Sequence, residues 1–349
     1  MAGTFTSGDR VVARIRSTVM SKKRIAAWIS LVAGLVLMAY GAWSFFFAPL
    51  VSPFATLDVT LTIRTLDKYS FSRLRTRTYF PSALQMIKVL KKTPEFSSYV
   101  FMFTSDGKKV SGQMNLPNKT GKLPVIVMVR GYVDKEIYAT GVGTKRASEA
   151  LAQHGYITIA PDFLGYGESD PESNDIFEAR FEKPVTVLNL LASVRMLPQA
   201  DPKRVGIWGH SNGGQIALSV LEITQKNYPT VLWAPVTQGF PDSILQYVGE
   251  LPDSGAYIKG ELEKFHIRYA DDEYSVAAHW DDMTAPLQVH QGLADEEVKS
   301  KQTKGVADGL KKLGKSVTLF TYPKEDHNFN QGSFATMMER DLQFFDGKL

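Results

Sequence analysis

The chain alternates short apolar runs with longer segments whose apolar residues recur at helical spacing. The runs typical of buried strands are residues 156–160, 205–208, 230–234, 286–290 and 317–322. The segments between them predict amphipathic helices, for example over residues 145–154 and 185–196. Strands that alternate with helices indicate a mostly parallel sheet with helices on both faces, so the pattern predicts an α/β fold.

A different pattern marks the N-terminal part, where residues 25–47 are apolar with almost no interruption. As a helix this run would span about 34 Å, which is enough to cross a bilayer. Trp28, Tyr40 and Trp43 lie near its ends, where aromatic side chains anchor a helix at the membrane interface. We therefore predict a transmembrane signal-anchor over residues 25–51. A cleaved signal peptide, with a small-residue site at 39–41, is the alternative.

The charges that flank this run predict its orientation. The first 24 residues hold six basic side chains and one acidic one, a net charge of +5, which leaves −1 for the rest of the chain. Because basic residues are retained on the cytoplasmic side, we expect a cytoplasmic tail at residues 1–24 and an extracytoplasmic domain. The remaining charge leaves no basic face for nucleic acid, and the lack of cysteine excludes disulfides and thiolate metal sites.

Residues 52–97 are expected to connect the membrane helix to a domain at residues 98–349, whose length suffices for one large core. A short strand is predicted at 59–63. Residues 69–92 mix basic and apolar side chains at partly helical spacing. They indicate a helical hairpin with a solvated basic face, and the alternatives are packing on the domain or contact with anionic lipid.

The most informative stretch is Gly-His-Ser-Asn-Gly at residues 209–213, directly after the apolar run 205–208 and before a helical pattern. A Gly-x-Ser-x-Gly sequence between a strand and a helix places its serine on a sharp turn, where flanking glycines avoid a steric clash. The pattern predicts that Ser211 is a nucleophile.

A serine nucleophile needs an imidazole to take its proton and a carboxylate to orient that imidazole. His327 lies in the loop after the last predicted strand, which makes it the candidate base. Asp295 lies in the loop after the strand at 286–290 and is the candidate orienting carboxylate, with Glu296 and Glu297 as close rivals. The order Ser, Asp, His is the one that a strand-turn-helix nucleophile uses.

Residues 238–283 interrupt the strand and helix alternation with an insertion rich in aromatic and acidic side chains. An insertion at this point lies above the serine, so we interpret it as a cap, with an inert surface excursion as the alternative. Its candidate pocket-lining side chains are Tyr247, Tyr257, Phe265, Tyr269, Tyr274 and Trp280.

These motifs together resemble the α/β-hydrolase superfamily, and within it the prolyl oligopeptidase-like and dienelactone hydrolase-like serine hydrolases. The resemblance covers about residues 99–349. Besides the serine turn it is carried by segments in the family's order at residues 103–112, 124–132, 162–169, 292–295 and 322–329. Only about a hundred residues precede this region, without a repeat period, so the β-propeller of large family members cannot fit.

The resemblance implies an oxyanion hole formed by the backbone N–H of Asn212 and by Tyr132, through its N–H or its phenol. The family's loop usually begins His-Gly, whereas this one begins Arg130-Gly131. A backbone donor survives that change. Arg130 would either assist electrostatically or pair with an acidic residue such as Asp162 or Glu168.

The expected protein is a membrane-anchored serine hydrolase that cleaves small esters or short peptides through an acyl-enzyme, with no metal or organic cofactor. The competing interpretation is a catalytically silent α/β-hydrolase fold that serves as a binding or sensor ectodomain. The sequence leaves open whether the substrate is an ester or a peptide, and it does not indicate an oligomeric state.

Overall fold

The computed structural model describes residues 22–47, in one structural unit, and residues 64–349, in a second. The predicted basic tail before residue 22 and the predicted strand at 59–63 lie outside the described residues.

Helix α1 spans Lys22–Phe47, as the long apolar run predicts. Its stretch Ala26–Ser44 has a mean hydropathy of 1.7, and the large apolar side chains described there, such as Trp28 and Tyr40, are exposed. A helix that is apolar on all sides offers no polar face to water. By length and composition α1 can cross a membrane, and it equally fits a signal sequence.

The sheet of the second unit contains nine strands: β1 (Gln85–Lys92), β2 (Phe96–Ser105), β3 (Lys108–Pro117), β4 (Leu123–Val129), β5 (Ile157–Pro161), β6 (Ala200–His210), β7 (Thr230–Trp233), β8 (Leu287–Gly292) and β9 (Val317–Tyr322). Their order across the sheet is β1-β2-β3-β5-β4-β6-β7-β8-β9. Strands β1, β2, β3 and β5 pair antiparallel, and from β5 to β9 all neighbours pair parallel. The predicted, mostly parallel sheet is confirmed.

Helices cover both faces of this sheet, namely α2 (Phe71–Thr76), α3 (Lys145–Gln153), α4 (Ile176–Ser193), α5 (Asn212–Thr224), α6 (Asp242–Leu245), α7 (Ala256–His266), α8 (Ser300–Lys312) and α9 (Phe334–Asp346). Strand β4 displays the two-sided packing because successive side chains of a strand point to opposite faces. Val125, Val127 and Val129 pack in a core cluster that includes α4 and α5. Ile126 and Met128 pack in a second cluster with α3 and α9.

Residues 64–97, which the sequence analysis treats as a connecting region, lie in the same unit as the rest of the sheet. Tyr69, Phe71 and Leu74 are buried in its core. The predicted helical hairpin is wrong: helix α2 ends at Thr76, and the basic segment forms the edge strand β1 along β2. The apolar residues of this segment recur at partly helical spacing. The segment is nevertheless a strand, because its backbone groups pair with β2 on one side.

The insertion between β7 and β8 packs through its aromatic side chains on helix α4. Phe240 and Phe265 have ring centroids 5.6 and 5.3 Å from Phe177, and Tyr274 stacks on Phe181 at 4.8 Å. Edge-to-face and offset contacts of this kind stabilise a packed layer beyond the area that they bury. The insertion is therefore a folded layer over α4.

Candidate active site

Ser211 joins strand β6 to helix α5 with backbone angles of φ 55° and ψ −125°. Residues other than glycine rarely adopt such a positive φ, and strained backbone positions of this kind occur at functional sites. The turn needs glycines next to it, because a Cβ on Gly213 would lie 2.0 Å from the carbonyl oxygen of Val129. A Cβ on Gly209 would lie 2.8 Å from the carbonyl oxygen of Gly213. The glycine spacing in the sequence thus has a steric cause.

His327 and Asp295 meet at the same edge of the sheet, because the loops after β8 and β9 leave from the carboxyl ends of parallel strands. The Nδ1 atom of His327 lies 2.9 Å from Oδ2 of Asp295, and both side chains are buried. The carboxylate also accepts hydrogen bonds from the backbone N–H groups of Glu297 and Val298 at 2.9 and 2.8 Å. Gln291 Nε2 donates to Oδ2 at 3.0 Å.

These contacts keep the Asp295 carboxyl ionised. Burial alone would raise its pKa, but the hydrogen bonds from His327, Val298 N–H and Gln291 outweigh burial, and the pKa is lowered. An anionic carboxylate at Nδ1 fixes the proton of His327 on that nitrogen and leaves Nε2 as a proton acceptor. The contact with Asp295 therefore leaves His327 with an unprotonated Nε2, as a general base requires.

The two acidic neighbours of Asp295, Glu296 and Glu297, are exposed. Glu297 places Oε2 3.5 Å from Nε2 of His327, with 65% of its side chain exposed. It thus approaches the nitrogen that would accept the serine proton, not the nitrogen that Asp295 holds. Ser211 Oγ makes no hydrogen bond to this imidazole in the part of the chain that the structure describes. Such bonds are often long before substrate binds.

His210, which the sequence analysis did not select, supports the His327 loop. Its Nε2 lies 2.9 Å from the carbonyl oxygen of His327, and the two rings lie 4.7 Å apart. Burial, together with the neighbouring His327, lowers the pKa of His210 to about 4, so the ring is neutral at pH 7 and Nε2–H donates the bond. The only sequence signal is its place between Gly209 and Ser211.

Arg130 takes a structural position behind the loop that follows β4. Its guanidinium donates to the carbonyl oxygens of Gly131 and Asp162 at 2.9 and 2.8 Å and lies 4.1 Å from the ring centre of Tyr166. Of the two alternatives for Arg130, a pair with the Asp162 carboxylate does not form, because that carboxylate accepts hydrogen bonds from Ser111, Tyr138 and Thr140. Arg130 holds the backbone of the loop.

The two residues assigned to the oxyanion hole lie close to this loop and the serine turn. A Cβ on Gly131 would lie 2.8 Å from Cβ of Ser211, so the loop contacts the serine directly. Asn212 begins helix α5, where the first N–H groups lack helical acceptors. The side chain of Tyr132 is 71% exposed, and Asp134 raises the pKa of its phenol to about 12. These observations favour the N–H of Tyr132 over its phenol.

A small cavity of about 30 Å³ borders the site at Asn212. Of the six aromatic side chains proposed from the insertion, Tyr274 lines this cavity, Phe265 and Tyr269 are buried in the core, and Tyr257 is exposed. Among the described residues no group of three or more histidine, aspartate or glutamate side chains is placed to hold a metal ion.

Comparison with known proteins shows that the chain is similar to hydrolases. Residues 144–349 match the prolyl oligopeptidase family, and this range contains Ser211, Asp295 and His327. The quorum-quenching protein AidA of Acinetobacter baumannii is 26% identical over 164 residues, 46% of this chain and 50% of AidA. The chain therefore spans only half the length of that relative.

Two solved structures share the architecture. The acylaminoacyl peptidase of Pyrococcus horikoshii has a TM-score of 0.56 at 21% identity, over 73% of this chain and 42% of the other. Acetyl xylan esterase 1 of Thermoanaerobacterium has a TM-score of 0.57 at 16% identity, over 80% of this chain and 94% of the other. Identities this low show a common fold and leave the substrate open.

Proposed function

Because the chain belongs to the prolyl oligopeptidase family, we propose that it cleaves ester or peptide bonds with Ser211 as nucleophile, His327 as base and Asp295 as the orienting carboxylate. The observation that carries this proposal is the buried contact of 2.9 Å between His327 Nδ1 and Asp295 Oδ2 beside a serine at positive φ. A surface histidine or a simple helix cap requires neither feature.

The reaction follows from these positions. His327 Nε2 turns from Glu297 toward Ser211 and takes its proton while Oγ attacks the carbonyl carbon of the substrate. The N–H groups of Asn212 and Tyr132 donate to the oxyanion that forms. When the tetrahedral intermediate collapses, His327 protonates the leaving group and an acyl-Ser211 ester remains. Water, deprotonated by the same imidazole, then releases the acid and regenerates the serine.

A fluorophosphonate probe tests the nucleophile directly, because it reacts only with an activated serine. We expect the full-length protein in detergent to be labelled at Ser211, and Ser211→Ala to lose the label while it keeps its melting temperature. Ser316→Ala, an exposed serine on a different loop, is the matched control and should label fully. A folded wild-type protein without label would favour the silent binding ectodomain, and a label on another serine would reject the assignment.

We further propose that α1 anchors the protein in a membrane with the N-terminus in the cytoplasm and the hydrolase unit on the other side. The apolar stretch Ala26–Ser44 and the six basic side chains before residue 25 support this orientation. Cleavage of α1 as a signal sequence is the competing outcome, and it would leave the same hydrolase outside the cytoplasm without an anchor.

A further inference from the structure

The cavity beside Asn212 contains two cationic side chains, both from helix α4. Arg180 donates through Nη2 to the amide oxygen of Gln215 and, at 3.0 Å, to Ser243 Oγ, both of which are neutral partners. Lys183, three residues along the same helix, lines the cavity without a hydrogen bond or ion pair to any described residue. Neither cation has a carboxylate partner in the described part of the chain.

The acidic side chains that attract Lys183 electrostatically, Glu172 and Glu182, are each in contact with another cation. Glu178 and Glu182 of α4 lie 2.8 Å from Lys68 and 3.3 Å from Lys108, and Glu172 pairs with Lys135. A third positive charge, Arg130, is bound to backbone carbonyls and adds to the repulsion felt by Lys183. Each carboxylate near Lys183 is therefore shared with a second cation.

The two cations are partly buried, and burial disfavours their charged forms. Burial, together with repulsion from Arg180 and Arg130, lowers the pKa of Lys183 to about 8 and outweighs the attraction of Glu172 and Glu182. Burial lowers the pKa of Arg180 to about 10. Buried charges in proteins are normally paired, because an unpaired one loses its hydration without compensation. A negatively charged group in the cavity would restore that balance.

The position of the cavity connects this charge to the reaction. Asn212, directly after the nucleophile, lines it, and Gln215, one turn later in α5, holds Arg180. The remaining walls include Phe181, Phe240 and Tyr274, which are apolar or aromatic. The residue next to the nucleophile and the two cations thus line one small cavity with apolar and aromatic walls.

We propose that Arg180 and Lys183 bind a carboxylate of the substrate, so that the preferred substrates carry a negative charge on the acyl group or on the leaving group. This inference rests on the proposed serine hydrolase activity and adds to it a substrate class. The donors are Nζ of Lys183 and the guanidinium nitrogens of Arg180 that bind neither Gln215 nor Ser243.

The test compares each acid with its own methyl ester, in two pairs. In the first pair, the nitrophenyl monoester of glutaric acid carries the charge on the acyl group and is compared with its methyl ester. In the second pair, acetoxybenzoic acid carries the charge on the leaving group and is compared with its methyl ester. With the full-length protein we expect one acid to be cleaved with a kcat/KM at least about tenfold above that of its methyl ester. Preference for the neutral ester in both pairs would overturn the inference.

Variants assign the preference to the two cations. Arg180→Gln and Lys183→Met should each lower the ratio of acid to methyl ester by about tenfold, whereas Lys183→Arg should retain it. Lys304→Met, which removes an exposed lysine paired with Asp308 on α8, is the matched control and should keep the wild-type ratio. An unchanged ratio in both cavity variants would reject the assignment.

The pH dependence of the acid to methyl ester ratio can be measured on the wild-type protein, without any variant. Because kcat/KM reports the free enzyme, the ratio should fall as the pH rises through about 8, where Lys183 loses its charge. A ratio that stays constant to pH 9 would contradict the role of Lys183. Fluorophosphonate labelling of Ser211 distinguishes failure of the substrate inference from failure of the proposed function. An enzyme that is labelled but shows no charge preference refutes only the inference. A protein that is neither labelled nor active refutes the proposed hydrolase activity as well.

Discussion

Asp295 differs from its acidic neighbours in how completely its carboxylate is held. One oxygen accepts two backbone N–H groups and the other accepts Gln291 and His327, whereas Glu297 reaches the imidazole only at 3.5 Å from an exposed position. A carboxylate held in this way can fix both the tautomer and the angle of the ring. An exposed contact contributes little to either.

Asp295→Asn should therefore lower kcat/KM by about 10⁴-fold, because an amide at Nδ1 stabilises the wrong imidazole tautomer. Ester hydrolysis by purified protein measures the effect. Glu297→Gln, which alters a neighbouring acid without touching Nδ1, is the control and should stay within about threefold of the wild type. The reverse ranking of the two variants would move the orienting role to Glu297.

His210 is expected to act as a positioning residue through the backbone of His327. His210→Phe keeps an aromatic ring but loses the hydrogen bond to the carbonyl oxygen of His327, so the rate of fluorophosphonate labelling should fall by about tenfold. His210→Gln retains a donor near the Nε2 position and should recover most of that rate. Equal rates for both variants would mean that the ring fills space only.

The same residue has a consequence for acid stability. Its folded pKa of about 4 is below the ordinary value of about 6.5, so protons bind the unfolded chain more tightly. The stability that neutral His210 contributes is complete above pH 6.5 and is lost as the pH falls toward 4. Thermal unfolding between pH 7 and 4 should show a smaller loss of stability in His210→Gln than in the wild type.

The site residues differ in how far sequence alone locates them. Ser211 and His327 follow from their places after strands, whereas local sequence contains no geometric reason to choose Asp295 among three adjacent acids. The backbone N–H groups of Glu297 and Val298 supply that reason, since they fix which carboxylate faces inward. The bond from His210 to the His327 carbonyl joins residues 117 positions apart, so no local pattern encodes it.

Among the elements, the strand and helix alternation predicted the central sheet, because parallel strands buried on both faces are continuous apolar runs. It did not predict β1, all of whose residues are exposed. An exposed edge strand has no buried face to impose an alternating pattern, and its conformation depends on pairing with β2. Local sequence is least informative for such an element.

Helix α5 contains a buried acidic residue that sequence patterns do not mark. Glu222 is completely buried, and neither of its carboxylate oxygens has a hydrogen-bond partner among the described residues. Burial raises its pKa well above the ordinary value, with an opposing effect of Arg75 and a smaller, reinforcing one of Asp282. A raised carboxyl pKa means that the folded state binds the proton more tightly than the unfolded state.

This residue should make the fold less stable as the pH rises above about 4.3, the ordinary value for glutamate. Glu222→Gln removes the ionisation, so its melting temperature should exceed that of the wild type by about 2 °C or more at pH 8 and by less at pH 5. Glu263→Gln, on the exposed side of α7, is the control and should leave both values unchanged. Equal shifts at both pH values would exclude ionisation of Glu222 as the cause.

For the chain as a whole, charge is distributed unevenly about the apolar helix. The first 24 residues carry a net +5 and the remaining residues a net −1. When a helix inserts into a membrane, flanking basic residues stay in the cytoplasm, and acidic residues have little effect. The basic residues before the apolar run should therefore determine the orientation. The proposed location of the hydrolase therefore depends on residues outside the hydrolase unit.

Protease added to intact cells or spheroplasts should digest the hydrolase unit, while a tag at the N-terminus remains protected until the membrane is opened. Replacing Lys22, Lys23 and Arg24 with glutamate should reduce this asymmetry, because it removes the basic residues directly before the apolar run. Replacing Lys299, Lys301 and Lys304 in the same way alters an equal charge far from the helix along the sequence, and it should leave the orientation unchanged. A protected hydrolase with a digested tag would reverse the proposed topology. A protein that washes off the membrane and begins after Gly41 would identify α1 as a signal peptide.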